Sequence, residues 1–364
     1  MEKVGVGLIG SQFVSNIHAE AFQRVPNATL VAVASPTEAH VRDFAARHHI
    51  PRWFTDYREM LALPEVQMVV IGAPNYLHCQ MTVDAARAGK HVVCEKPLCM
   101  NLQEADAMIA ACRDHGVKLM YAEELCFTPK YVRLKQLVDE GALGKVYLIK
   151  QAEKHDGPHS AWFWDVTKSG GGVTLDMGCH AFEFFRWMIG RPRALNVYAQ
   201  MDTYVHRHRT QGDDAAVIIV NFEGQVTGVA EESWAKKGGM DDRAEVYGSE
   251  GVSYADLLRG NSLHTYSEPG YGYAVEKAGS TRGWSFTMFE ETWNYGFPQE
   301  MQAFTDAVAN NLPAPVSGED GRAVLEIIFA AYASAATGRR VDLPYTPPPE
   351  FAQRPIDIWL ASRR

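Results

Sequence analysis

The chain has 364 residues, 46% of them hydrophobic and 22% charged, which suits two water-soluble domains. A net charge of -9 at pH 7 argues against nucleic acid or an anionic membrane surface as partner. No apolar run of signal-peptide length opens the chain, none approaches the ~20 residues of a membrane span, and the six scattered cysteines read as reduced thiols, so a cytoplasmic location without disulfides or structural zinc is expected.

From the N-terminus, KVGVGLIG reads as a buried strand ending at Gly10, and NIHAEAFQRVP as a helix that stops at Pro26. ATLVAVAS is a second strand, and PTEAHVRDFAARHHI a helix with Pro36 in its first turn. The small helix YREMLALP, the strand VQMVVIGAP and the helix LHCQMTVDAARAG follow. HVVCEKP, NLQEADAMIAACRDHG and VKLMYAE then give strand, helix and strand. Such alternation specifies a parallel, doubly wound sheet, which binds ligands beyond the carboxyl ends of its strands. GSQ, APNYLH and CEKP all stand at such ends, and YAEEL brings Tyr121 and Glu123 to another.

After the helix KYVRLKQLVDEGALG the pattern changes. KVYLIKQAEKH, RALNVYAQMDTYVHR, AAVIIVNF, QVTGVAEESWA and RAEVYGSEGVSYAD alternate in the manner of strands joined by Gly and Asp turns, predicting one large, mostly antiparallel sheet. Two helices, QEMQAFTDAVANN and GEDGRAVLEIIFAAYASAATG, close the chain. The expected domains are residues 1–123, dinucleotide-binding, and 124–364, substrate-binding and oligomerising with an open-faced sheet. An open sheet face suggests a homodimer or homotetramer.

Three stretches carry candidate chemistry. In AGKHVVCEKPL, Pro97 fixes the chain after Glu95 and Lys96, and a lysine at low dielectric exchanges protons with a hydroxyl. Taken alone, it reads equally well as a solvated Lys–Glu pair. In SGGGVTLDMGCHAFEFFRWM, Asp176 and His180 are four apart and would share a helix face, where a carboxylate orients an imidazole. The bland alternative is a capping aspartate and an incidental histidine. In KHDGPHSAWFW, His155, His159 and Trp162 offer hydroxyl-binding groups and a sugar-stacking face, or else core packing. YVHRHRT and SWAKKGGMDDR add cations, among them Lys236 and Arg243, able to receive a substrate carboxylate or sulfonate.

Taken together, the strand-turn-helix at Gly10, AGKHVVCEKPL, GGGVTLDMGCH, EVYGSEG and the closing helical segment resemble the glucose–fructose oxidoreductase, inositol dehydrogenase and MocA family over nearly the whole length. The resemblance implies a Rossmann domain plus an open-faced sheet domain, with Lys96, Asp176 and His180 lining the active site. It implies an NAD-dependent oxidoreductase acting on a secondary hydroxyl of a sugar, sugar acid or cyclitol. Whether Lys96 or His180 is the base stays open. The alternative is a redox-neutral, NAD-dependent glycosidase or lyase working through a 3-keto sugar, on a substrate that includes anionic glycosides. NAD is the expected cofactor and NADP stays open, because Ser35 stands where an acid often selects NAD. The cofactor residues are expected to be Gly10, Gln12, Phe13, Val14, Ser35, Pro74, Asn75, His78, Glu95, Lys96 and Trp164. Substrate would meet Lys96, Tyr121, Glu123, His155, His159, Trp162, Asp176, His180, Lys236 and Arg243.

The phosphate turn departs from G-x-G-x-x-G: Gln12 and Ser15 replace the second and third glycines. Gln12 must turn its side chain away or bond the phosphate itself. Ser15 is small enough for close packing, and the helix N-terminus still offers its amides.

Overall fold

The computed structural model describes residues 3–258, 262–267, 269–271, 275, 278–288 and 290–363. It divides into two compact units, Met1–Phe127 with Gly296–Ala323, and Thr128–Tyr295 with Val324–Arg364.

In the first unit β1 (Val4–Ile9), β2 (Ala28–Ala34), β3 (Trp53–Phe54), β4 (Met68–Ile71), β5 (His91–Glu95) and β6 (Leu119–Ala122) form one sheet. Its order is β3-β2-β1-β4-β5-β6 and every pair is parallel. All six residues of β1 and all four of β4 are buried, as expected of strands covered on both faces. The order reverses between β1 and β4, so the crevice beyond their carboxyl ends is the place for a dinucleotide. Helix starts are marked by caps: Asp56 accepts from the Arg58 amide at 2.9 Å, and Asn101 from that of Glu104 at 2.8 Å.

The helix Phe297–Ala309 also belongs to this unit, packed on the helix Phe13–Phe22. It buries Met301 and Phe304, and Phe304 meets Phe127 edge-on at 5.6 Å. Truncating Phe304 to alanine would cost about 3–5 kcal/mol. Thus the unit is discontinuous in sequence: its segment Gly296–Ala323, which carries this helix, follows most of the second unit's strands in the chain.

In the second unit β7 (Val146–Lys154), β8 (Ala194–Asp202), β9 (Ala215–Phe222), β10 (Val226–Ser233), β11 (Asp241–Gly248), β12 (Val252–Asp256) and β15 (Val341–Asp342) make a sheet ordered β12-β11-β7-β10-β9-β8-β15. β13 (Ser262–Ser267) and β14 (Gly283–Met288) pair separately. The large sheet is mostly antiparallel, with one exception. The meander β8–β9–β10 returns with β10 parallel to β7.

Paired residues share a sheet face. Register puts Glu232, Glu153 and Asp242 side by side across β10, β7 and β11, all buried. The helix Gly178–Met188 packs on β7 and β10, with Phe184 and Phe185 fully buried. On the opposite face Tyr198, Val217 and Tyr254 are exposed, and Lys150 pairs with Glu245 at 3.3 Å.

Candidate active site

At the end of β1 the backbone of Gly10 has φ +124°, and a Cβ there would lie 2.5 Å from the Gly72 carbonyl oxygen and 2.7 Å from Ser15 Oγ. Only glycine fits. Gln12, by contrast, is extended and precedes the helix Phe13–Phe22, with its Nε2 3.2 Å from His40 Nδ1. Its side chain therefore turns toward His40, the first of the two options the sequence left. Ser15 is buried against Gly10 and Gly72, doing the third glycine's packing work with a small side chain. Val14 also comes close to Gly72, and Phe13 is exposed at the helix start. No side chain caps that helix and no acid stands in its first turn, so its amides suit a pyrophosphate. After β2, Ser11 Oγ donates to Ser35 Oγ at 2.9 Å.

The ends of β4, β5 and β6 hold the titratable groups. Pro74 leads into the turn Asn75–Leu77, where Asn75 is buried. His78 is fully buried, with Nδ1 3.0 Å from the Pro97 carbonyl and Nε2 2.7 Å from that of Ala73. It braces the β4 turn against the E-K-P turn. Burial pushes the His78 imidazole below its usual range, while the two carbonyls pull the other way.

Glu95 Oε1 lies 2.7 Å from His18 Nε2, and its Oε2 accepts the Lys96 amide at 3.0 Å. Burial alone would raise the Glu95 carboxyl, but His18 and Lys96 together hold it below the ordinary value. Glu123 is fully buried and pushed up to about 8, chiefly by burial and against the charge of Lys96. Tyr121 is fully buried, and a Cβ on Gly321 would come within 3.1 Å of its ring.

In the second unit the glycine loop is explained by Asp213. A Cβ on Gly172 would sit 2.1 Å from the Asp213 carbonyl oxygen. Asp213 accepts from the Thr174 amide at 2.9 Å and the Tyr332 hydroxyl at 2.6 Å, and Tyr332 accepts from the Gly172 amide at 2.9 Å. The loop leads into the helix Val173–Asp176, and a second helix, Gly178–Met188, starts two residues later. Asp176 and His180 are therefore not on one continuous helix, as their spacing alone suggested; the chain breaks at Met177. Both are buried, and Asp176 Oδ2 accepts from the indole Nε1 of Trp234 at 3.1 Å.

Trp234 is fully buried; in sequence its only signal is its place just after β10, two residues past Glu232. Trp164 meets it edge-on at 5.5 Å and lies under the Arg209 guanidinium at 4.1 Å. Trp162 stacks on Phe163 at 3.8 Å, and the rings of buried His155 and exposed His159 are 6.1 Å apart.

The cations are more committed than their sequence suggested. Lys236 Nζ donates to the Gly239 carbonyl at 2.8 Å and reaches those of Gly238 and Met240. Lys237 binds both oxygens of Asp156. Arg243 alternates with Asp242 along β11, so it stands on the open face with Tyr254 and Val217, 3.6 Å from Asp241.

Residues 4–123 match the model of an oxidoreductase family with an NAD-binding Rossmann fold, GFO/IDH/MocA, and residues 131–253 match a C-terminal domain of the same family. The chain is similar to the uncharacterized oxidoreductase YrbE of Bacillus subtilis, 30% identical over 347 residues, 95% of this chain and 98% of that one. It is 29% identical over 341 residues to myo-inositol 2-dehydrogenase of Thermotoga maritima, covering 93% and 98% of the two chains. Among solved structures, GenD2 from gentamicin A biosynthesis, in complex with NAD, superposes with a TM-score of 0.89 at 32% identity, covering 95% of this chain and 97% of that one. Among the described residues no helix is long and apolar enough to cross a membrane.

Proposed function

The chain belongs to the GFO/IDH/MocA oxidoreductase family, and we propose that it oxidises a secondary hydroxyl of a sugar, sugar acid or cyclitol with NAD. One observation carries the reading: Lys96 leaves the end of β5 in an NAD-binding unit with its backbone anchored on a buried Glu95. The myo-inositol dehydrogenase relative and the NAD complex of GenD2 support it.

The glycine cradle at Gly10 and the uncapped helix start fit a dinucleotide, which Gly10, Gln12, Phe13 and Val14 would hold by its phosphates and Ser35 by its ribose. Pro74, Asn75, His78, Glu95, Lys96 and Trp164 would serve its nicotinamide end. NAD, when bound, supplies the hydride acceptor. Lys96 then takes the hydroxyl proton or steadies the developing oxyanion, and His180 does the complementary work. Asp176, fixed by the Trp234 indole, orients and charges the site around His180. Tyr121, Glu123, His155, His159, Trp162 and Lys236 are assigned to substrate; Arg243, expected there from sequence, stands instead on the open sheet face away from the helix that carries His180 and is given no role at the site. Assembly as a homodimer or homotetramer would cover the open face around Tyr198, Val217 and Tyr254.

The test is a panel of cyclitols, sugars and glycosides incubated with NAD or NADP and followed by absorbance of the reduced nicotinamide. One reduced cofactor per ketone is the expected result. Free sugar released from a glycoside without net reduction would instead establish the redox-neutral chemistry.

A further inference from the structure

We propose that Glu123 is the proton-relay residue that empties Lys96 after each turnover, an inference that rests on Lys96 taking the substrate proton. The geometry comes from strand register. β5 and β6 are parallel, with Cys94 beside Tyr121 and Glu95 beside Ala122. The next two residues, Lys96 and Glu123, therefore leave the sheet side by side. Glu123 is fully buried.

The groups around Glu123 within this unit come from four elements. Lys96 and Glu95 face it from the end of β5, and Glu124 follows it in the turn Glu124–Cys126. Glu300, fully buried in the first turn of the helix Phe297–Ala309, lies near the Glu123 peptide, and its own carboxyl is raised by burial and by these neighbouring acids. His18, from the helix Phe13–Phe22, holds Glu95 from behind. Three of these acids, Glu95, Glu123 and Glu300, are buried together, so the first unit does not hold every carboxyl ionised without cost.

Burial first, then Glu95, lifts Glu123 to about 8, while Lys96 draws it down. A carboxyl poised there gives and takes a proton near neutrality with little driving force either way. With NAD bound as acceptor of the carbinol hydride, the hydroxyl proton would bond to the free pair of Lys96 Nζ. The ammonium then passes that proton to the Glu123 carboxylate, which restores the neutral amine and leaves a carboxylic acid. Glu123 finally releases it to water, which accounts for the one proton that oxidation of an alcohol by NAD sets free.

Glu123→Gln keeps shape and removes proton exchange. With substrate identified by the panel, its kcat is expected to fall at least about tenfold. The wild-type rise of kcat with pH through about 8 should disappear, with NAD affinity unchanged. Infrared pH-difference spectra of the NAD-loaded wild type should show a carboxyl band titrating near 8, absent in Glu123→Gln and moved to higher pH in Lys96→Met. A Glu123→Gln enzyme with wild-type kcat and pH profile overturns the relay, as does a wild-type spectrum without that band. The underlying reading fails separately: then Lys96→Met itself turns over normally.

Discussion

Glu95, Glu123 and Glu300 gather in the first unit, with His18 bonded to Glu95 and Lys96 acting on Glu95 and Glu123, whereas Glu153, Glu232 and Asp242 stand in a row across β7, β10 and β11 in the second. Both groups are buried, but their company differs. In the first, a histidine holds one carboxyl charged and a lysine keeps another within reach of neutral pH. In the second, the Tyr131 hydroxyl donates to Asp242 at 2.8 Å, and the charge of Lys154 acts on Glu232 from the opposite face. Burial dominates there: Glu232 is raised well above its usual range and Asp242 to about 7. Both groups thus hold an acid that titrates near neutrality, but the first sets it beside Lys96 at the end of β5, where it can exchange protons, and the second keeps its row under the helix Gly178–Met188, where it mainly costs stability.

The largest effects should fall on the proposed chemical groups. Lys96→Met and His180→Ala are each expected to lower turnover at least about a hundredfold, while NAD affinity, measured calorimetrically, changes far less than turnover in Lys96→Met and stays nearly unchanged in His180→Ala. If both variants keep normal turnover, the contrast between the two acid groups has no catalytic meaning. Trp234→Phe removes the donor to Asp176 without changing the ring packing much. Turnover should drop about tenfold, the scale of one hydrogen bond to a charged group, and kcat rather than KM should carry the loss.

The row in the second unit makes the opposite prediction. Asp242 titrates from 3.8 when free to about 7 when folded, so the fold favours its protonated form. The resulting cost is absent below the free value, grows as pH rises toward 7, and is complete above it. Asp242→Asn should therefore stabilise the protein by about 1 kcal/mol at pH 8, and by much less at pH 4, in denaturant titrations. Equal effects at both pH values would show that the row carries no titration penalty. The smallest effect is expected at the phosphate turn. Gln12→Gly should change NAD affinity by no more than about threefold, well under 1 kcal/mol, because the side chain already turns toward His40.

Most of the first sheet was legible, since strands covered on both faces read as unbroken apolar runs such as VGVGLI and MVVI. The return of the helix Phe297–Ala309 was not, because its amphipathic pattern says that it packs but not on what. The helix break at Met177 was hidden by a sequence that continues helical spacing through it. The acid row was invisible for a related reason. In VAEESW, Glu231 and Glu232 are equivalent as letters, and only register against β7 says which one is buried. Gly172 stands in a run of three glycines, but its need for no side chain is set by Asp213, forty-one positions away in sequence.

The central claim is that hydride leaves a carbinol carbon for the bound nicotinamide while Lys96 handles the proton. A substrate found by the panel, deuterated at each ring carbon, tests it most directly when the cofactor is recovered and analysed by mass spectrometry. The account predicts deuterium in the reduced nicotinamide, a primary isotope effect on turnover, and loss of both transfer and turnover in Lys96→Met. Deuterium retained wholly in the sugar product, with the cofactor unlabelled and oxidised at the end, would contradict it.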